Sequence, residues 1–158
     1  MRITNVGYNS RHAANFCINR PFGSGDYILL IIKTEAFFCL GGQRSVVPPN
    51  NAIIFKKGTP QLYGAVNSEY VNDWIHFDMD ESEERFITDL GIPFDTIITL
   101  YDINALLSLI KNIFFERFFT ENDEIAKDEL RIPTRFGVDL VKRVRDRFSA
   151  ACQLYGGG

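Results

Sequence analysis

The chain has 158 residues, 46% hydrophobic and 23% charged, with 14 Phe, 6 Tyr and 1 Trp. That is enough apolar material for one packed domain, and it excludes wholesale disorder. With 17 Lys+Arg against 20 Asp+Glu the net charge is -3. A free-standing nucleic-acid binder needs a basic surplus to displace phosphate counterions, so a small molecule or a protein is the expected direct partner.

The N-terminus, Met1-Arg2-Ile3-Thr4-Asn5, lacks the apolar run of a signal peptide, and the longest apolar stretch, Tyr27 to Ile32, is too short to span a bilayer. A soluble, cytoplasmic protein is expected, with no membrane partner. Cys17, Cys39 and Cys152 are odd in number and form no CxxC pair. Neither a zinc cage nor a redox dithiol is indicated, and Cys17 and Cys39 are expected to be buried small hydrophobes.

In chain order, the first two thirds read as short strands broken by turns. Tyr27 to Ile32 is a continuous β-branched-rich run, as for a strand covered on both faces. Ala36 to Leu40 follows after a short polar connection, which reads as a hairpin. Arg44 to Val47, Ala52 to Phe55 and Gln61 to Val66 follow, punctuated by Gly41-Gly42, Pro48-Pro49-Asn50-Asn51 and Gly58-Thr59-Pro60. Tyr70 to Asp78 alternates, with Asn72, Trp74, His76 and Asp78 on one face and Val71, Ile75 and Phe77 on the other. Regular spacing without intervening helices indicates a β-barrel or sandwich.

Helical patterns take over after Asp78. Ser82 to Leu90 reads as a short helix capped by Asp80 or Ser82 and stopped at Gly91. Asp102 opens a longer helix to Phe118 with apolar residues Leu106, Leu109, Ile110, Ile113 and Phe114 at helical period. Thr120 to Glu129 could extend it, and Val138 to Phe148 reads as a last basic amphipathic helix. The expected division is a barrel over residues 1–101, including the short helix 82–90, and a helical appendage over 102–158 of the same compact domain.

Few residues carry chemistry. His12 and His76 are the only histidines and have no metal-ligand spacing, and no G-x-S-x-G elbow, P-loop or G-x-G-x-x-G occurs. No catalytic residue, metal or cofactor is expected. Trp74 and His76 share one strand face and suit a sugar, the indole stacking on its C–H face and the imidazole bonding hydroxyls. A barrel packed shut, with Trp74 as core, is the alternative. Arg20, just before a buried strand, offers five donors to an oxygen-rich ligand or is a plain surface arginine. Tyr63 is a third candidate, equally able to be core. The basic run Lys142 to Arg147 reads as a solvated helix face, because no helix-turn-helix unit flanks it.

Three stretches stand in order: Arg20-Pro21-Phe22-Gly23-Ser24-Gly25-Asp26-Tyr27-Ile28-Leu29, Val47-Pro48-Pro49-Asn50-Asn51-Ala52-Ile53-Ile54-Phe55 and Lys57-Gly58-Thr59-Pro60-Gln61-Leu62-Tyr63. With Tyr70 through Trp74-Ile75-His76-Phe77, and Leu90-Gly91-Ile92-Pro93-Phe94, they resemble the N-terminal ligand-binding domain of AraC-family transcriptional regulators, over roughly Arg20 to Phe118. The resemblance implies a cupin, a double-stranded β-helix or jelly-roll barrel, followed by helices that pair two protomers. It implies an effector, often a sugar, inside the barrel. In the arabinose-responsive member the matching Arg, Tyr and Trp contact the sugar, which carries over to Arg20, Tyr63 and Trp74. His76 stands where that member has an aromatic residue. The family's N-terminal arm would be Met1 to Asn19, without residue matches. Its two helix-turn-helix units are missing, so DNA would be bound only through a domain not in this chain. Residues 132–158 do not resemble the Leu-rich helix usual after the barrel.

The apolar stripe on the Asp102–Phe118 helix is too wide for one partner, with Leu107, Phe115 and Phe118 on its flanks. A two-fold homodimer through Leu107, Ile110, Phe114 and Phe115 is the expectation. A metal-dependent cupin isomerase or dioxygenase, or a ligand-free oligomerisation barrel, are the alternatives to a sensor.

Overall fold

The computed structural model describes residues 1–122. The elements are β1 (Arg2–His12), β2 (Cys17–Arg20), β3 (Tyr27–Ile32), β4 (Ala36–Leu40), β5 (Gln43–Val47), β6 (Asn51–Phe55), β7 (Gln61–Ala65), β8 (Tyr70–Asp78), α1 (Glu81–Asp89), β9 (Ile98–Thr99) and α2 (Ile103–Asn122). One sheet runs β1-β8-β3-β6-β9 and the other β2-β7-β4-β5, with every pairing antiparallel. The facing orders 1-8-3-6 and 2-7-4-5 define a jelly roll, so the fold is the cupin-type double-stranded β-helix, mainly β with a C-terminal helix.

Two apolar layers follow from the period-2 alternation of each strand. Ile28, Leu30 and Ile32 of β3 point into the barrel with Phe38, Ile53, Phe55, Tyr63 and Tyr70. Tyr27, Leu29 and Ile31 point outward, where they join Ile54, Ile75 and Phe77 beneath Leu106, Ile110 and Ile113 of α2. Every residue of β3 is buried, which explains its unbroken apolar run.

Local signals fix the turns and caps. Gly41 and Gly42, at φ 57 and 80, close the two-residue β4–β5 hairpin, where both positions need positive φ. Asp80 caps α1 by accepting from the backbone N–H groups of Ser82 and Glu83, and Glu83 accepts from the Asp80 N–H in return.

Three expectations are corrected. Ala36 to Leu40 does not form a hairpin with β3; the two strands lie in different sheets, because a jelly roll crosses over at this connection. Residues 1–19, where the resemblance implies an N-terminal arm, are built into the two sheets: β1 pairs with β8, with two register shifts, and β2 pairs with β7. Cys17 is exposed and Cys39 only half-buried, since both fall on the outward positions of their strands. The extension beyond residue 122, the Val138–Phe148 helix and the basic run lie outside the described residues. No helix among the described residues is long and apolar enough to cross a membrane.

Candidate functional site

The inward alternation of β8 brings Trp74 and His76 to one wall of the barrel, ring centroids 5.3 Å apart and edge to face. In the opposite sheet, β2 and β7 pair Ile18 with Tyr63 and Arg20 with Gln61. The chain from Arg20 to Asp26 then crosses from β2 to β3 at that end of the barrel, so both sheets contribute to one mouth.

A hydrogen-bonded chain links the two walls. Arg20 Nη1 donates to Gln61 Oε1 at 3.2 Å, and Gln61 Nε2 donates to Ser24 Oγ at 3.4 Å. Ser24 Oγ donates to the Asp26 carbonyl at 2.8 Å, and Asp26 Oδ1 lies 2.9 Å from His76 Nδ1. Because a carboxylate only accepts, Nδ1 carries the proton in this pair, and Nε2 is the nitrogen left to face a ligand. Thr4 Oγ1 donates to the other oxygen of Asp26 at 3.0 Å. Trp74 Nε1 donates to Ser10 Oγ at 3.0 Å. Arg20 has Gln61 as its hydrogen-bond partner and no carboxylate partner among the described residues.

Tyr63 lies deeper, its ring stacked on Phe38 at 5.2 Å and on Phe55 at 6.1 Å. Burial pushes its hydroxyl up to about 12, with the charge of Arg20 pulling the other way. Tyr63 is therefore a neutral phenol beside a guanidinium. Tyr70 sits deeper still; burial raises its hydroxyl further, and although Asn72 is close enough to oppose that, the hydroxyl makes no hydrogen bond.

The four candidates thus fall in one half of the barrel, with Arg20 and His76 joined through intervening polar groups, Trp74 against His76, and Tyr63 in the aromatic layer below. Sequence reasoning missed Thr4, Ser10, Ser24, Asp26 and Gln61. Ser24 and Asp26 stand in a Gly-Ser-Gly-Asp stretch that looks like plain turn chemistry. The alternation Gln61-x-Tyr63 was the one available signal, since a residue two before an inward Tyr also points inward.

The helix residues divide differently from expectation. Ile110 is 0% exposed and enclosed by the chain's own outer core, so it has no surface to offer a partner. Leu107 and Phe114 are partly buried against that core, and Phe115 is 41% exposed. His12 is stacked on Phe16 at 3.9 Å and lies 3.2 Å from Asn72 Oδ1. Among the described residues no group of three or more His, Cys, Asp or Glu could hold a metal ion. A shallow cleft beside α1, lined by Met1, Ser82, Glu83, Phe86 and Ile87, contains none of the mouth residues.

Similar folds occur in solved structures. ToxT from Vibrio cholerae O395, bound to (E)-4-(8-methylnaphthalen-1-yl)but-3-enoic acid, matches 98% of this chain and 58% of its own, with a TM-score of 0.55 and 15% identity. A 1.65 Å structure of ToxT from Vibrio cholerae matches the same shares with a TM-score of 0.51 and 14% identity. The cupin domain of an XRE-family transcriptional regulator from Enterobacter cloacae matches 44% of this chain and 77% of its own, with a TM-score of 0.36 and 15% identity. At such identities the ToxT likeness speaks for the fold alone, and the chain spans 58% of the length of those ToxT chains. No family model matches the sequence, and no curated protein matches it.

Proposed function

We propose that this chain is the effector-sensing and dimerising part of an AraC-like transcriptional regulator, with its effector site at the barrel mouth around Arg20, Tyr63, Trp74 and His76. The observation that carries this reading is the hydrogen-bonded chain from Arg20 in one sheet to His76 in the other, beside Trp74. A guanidinium, an imidazole and an indole meet there, which suits a small polyhydroxylated molecule such as a sugar. The sequence resemblance and the barrel shared with ToxT support the regulatory reading. DNA contact belongs to a module outside this chain, in keeping with the net charge of -3. On this reading the protein is not an enzyme and works in the cytoplasm as a homodimer.

A second reading of the ligand rests on Arg20, which has no carboxylate partner among the described residues. A guanidinium beside a neutral phenol suits a small carboxylate with an apolar body. ToxT in one of the similar structures is bound to such an acid.

Thermal unfolding with a panel of monosaccharides and small aryl carboxylates tests the proposal. A ligand present at about 100 times its Kd adds about 2.7 kcal/mol. Stabilisation by a member of either set supports the effector site and chooses between the two ligand classes. A flat response to both leaves a ligand-free oligomerisation barrel. Stoichiometric iron, manganese or zinc in the purified protein would instead point to the metal-dependent enzyme.

A further inference from the structure

Strand β1 touches both the groups around Trp74 and His76 and the helix α2, and it does so where it is irregular. Its pairing with β8 slips twice, between Ile3 and Asn5 and between Gly7 and Ser10. At the first slip, the Thr4 hydroxyl donates to Asp26, the partner of His76, while the Thr4 carbonyl accepts from Arg117 of α2. At the second, Ser10 Oγ accepts from Trp74, and Tyr8 two residues earlier packs its ring on Phe114 of α2 at 6.2 Å.

The second slip is gripped from both faces of β8. Inside, Trp74 lies over Gly7, where a β carbon would fall 2.2 Å from the indole. Outside, the next residue, Asp73, accepts from the Asn9 backbone N–H at 2.5 Å and from Lys33 Nζ at 2.7 Å, and Lys33 in turn sits 4.6 Å above the Tyr8 ring. Asn9 adopts φ 52, a left-handed conformation that Asn tolerates better than most residues. Asp73 is 0% exposed, and its second oxygen has no hydrogen-bond partner. The outer grip is therefore incompletely satisfied, and a buried oxygen left in that state costs free energy that the present arrangement must offset.

From this juxtaposition we infer that the two bulges of β1 form the mechanical link by which an occupied barrel mouth biases α2. A ligand that shifts Trp74 or His76 acts on Ser10 or Asp26, and each of these holds a bulge whose other side bears on α2. Coupling of this kind needs a two-state element that both sites bias, and in the proposed link that role falls to the bulges. The inference rests on the effector-site reading only for its trigger.

Native-state amide exchange on the full chain, without ligand, tests the link. Ser10→Ala removes the acceptor of Trp74, and Thr4→Val removes the donor to Asp26 while keeping the Thr4 carbonyl position. Each is expected to speed exchange about threefold or more in β1 and also at Ile110–Phe114 of α2, with the β3–β6 amides unchanged. Faster exchange confined to β1, or spread evenly through β3 and β6, would overturn the inference. Because no ligand is used, that failure would leave effector binding standing, and a failed ligand screen would leave the link standing.

Discussion

Trp74 of β8 lies directly across Gly7 of β1, so close that a β carbon at Gly7 would sit 2.2 Å from the indole Nε1 and Cε2. Glycine at this position is a packing requirement of the candidate site, not a turn signal. Gly7→Ala is expected to push the indole out of place and to destabilise the chain by about 1–3 kcal/mol, as overpacking does. Trp74 is the only tryptophan, so its fluorescence reports displacement and urea unfolding reports the cost. An unchanged spectrum and unchanged unfolding midpoint would show that the indole has room to spare.

Acid should weaken the contacts that tie α1 to β3 and to Lys56 after β6, and those that tie the end of β8 to β1 and to Lys57. Glu84 accepts from Lys56 and from the Tyr27 hydroxyl, which hold its carboxyl below the ordinary 4.5. Lys57 and Arg2 hold Asp78 below 3.8. A folded-state value below the unfolded one contributes stability that is present above the unfolded value and lost as pH falls through the folded one. The Tm is therefore expected to be flat above about pH 5 and to fall below it, with a shallower fall in Glu84→Gln. An equally steep fall in that variant would remove Glu84 from the account.

Alkali acts with the opposite sign. Burial, followed by the bond to Glu84, raises Tyr27 to about 12, and burial raises Tyr63 to about 12. Tyr70 is raised further by burial. Folded values above the unfolded 10.0 keep their stabilisation below pH 10 and lose it as pH rises through 12. Absorbance at 295 nm should show these three phenols ionising late in the folded chain and near 10 in urea. Ionisation of all six tyrosines near 10 without unfolding would contradict the packed interior.

The helix residues allow a separation of stability from assembly. Ile110→Ala empties a fully enclosed site in the outer core and is expected to cost about 2–5 kcal/mol. Phe115→Ser, at a residue 41% exposed whose ring meets Phe114 and Lys111, is expected to cost less, about 1 kcal/mol, and to shift a dimer toward monomer in sedimentation. If Phe115→Ser sediments like the parent chain, α2 does not pair protomers through Phe115.

The parts of the fold that were legible are those where one chemistry dominates a segment. The β-branched run of β3, the alternation of β8 and the Asp80-to-Gly91 punctuation of α1 each announce their element, with ends that match closely. Strand β1 was not legible: Arg2, Thr4, Asn5, Ser10 and Arg11 leave little apolar alternation, because it is an edge strand whose two slips reset the period. The β3–β4 connection misled because a short polar link looks alike within a sheet and between sheets. For the site, Trp74 and His76 followed from alternation, whereas Asp26 depends on the crossover between sheets that only the fold supplies.

The account's central claim is that Arg20, Trp74 and His76 face one bound effector. Titration calorimetry of the full chain with the best ligand from the sugar and aryl-carboxylate panels, repeated on Arg20→Ala and Trp74→Ala, tests it most directly. Loss of the indole should weaken binding by about 1–3 kcal/mol, the range for aromatic stacking, and loss of the guanidinium should weaken it at least as much, with both variants folded. Binding to both variants that matches the parent chain would place the effector elsewhere and contradict the account.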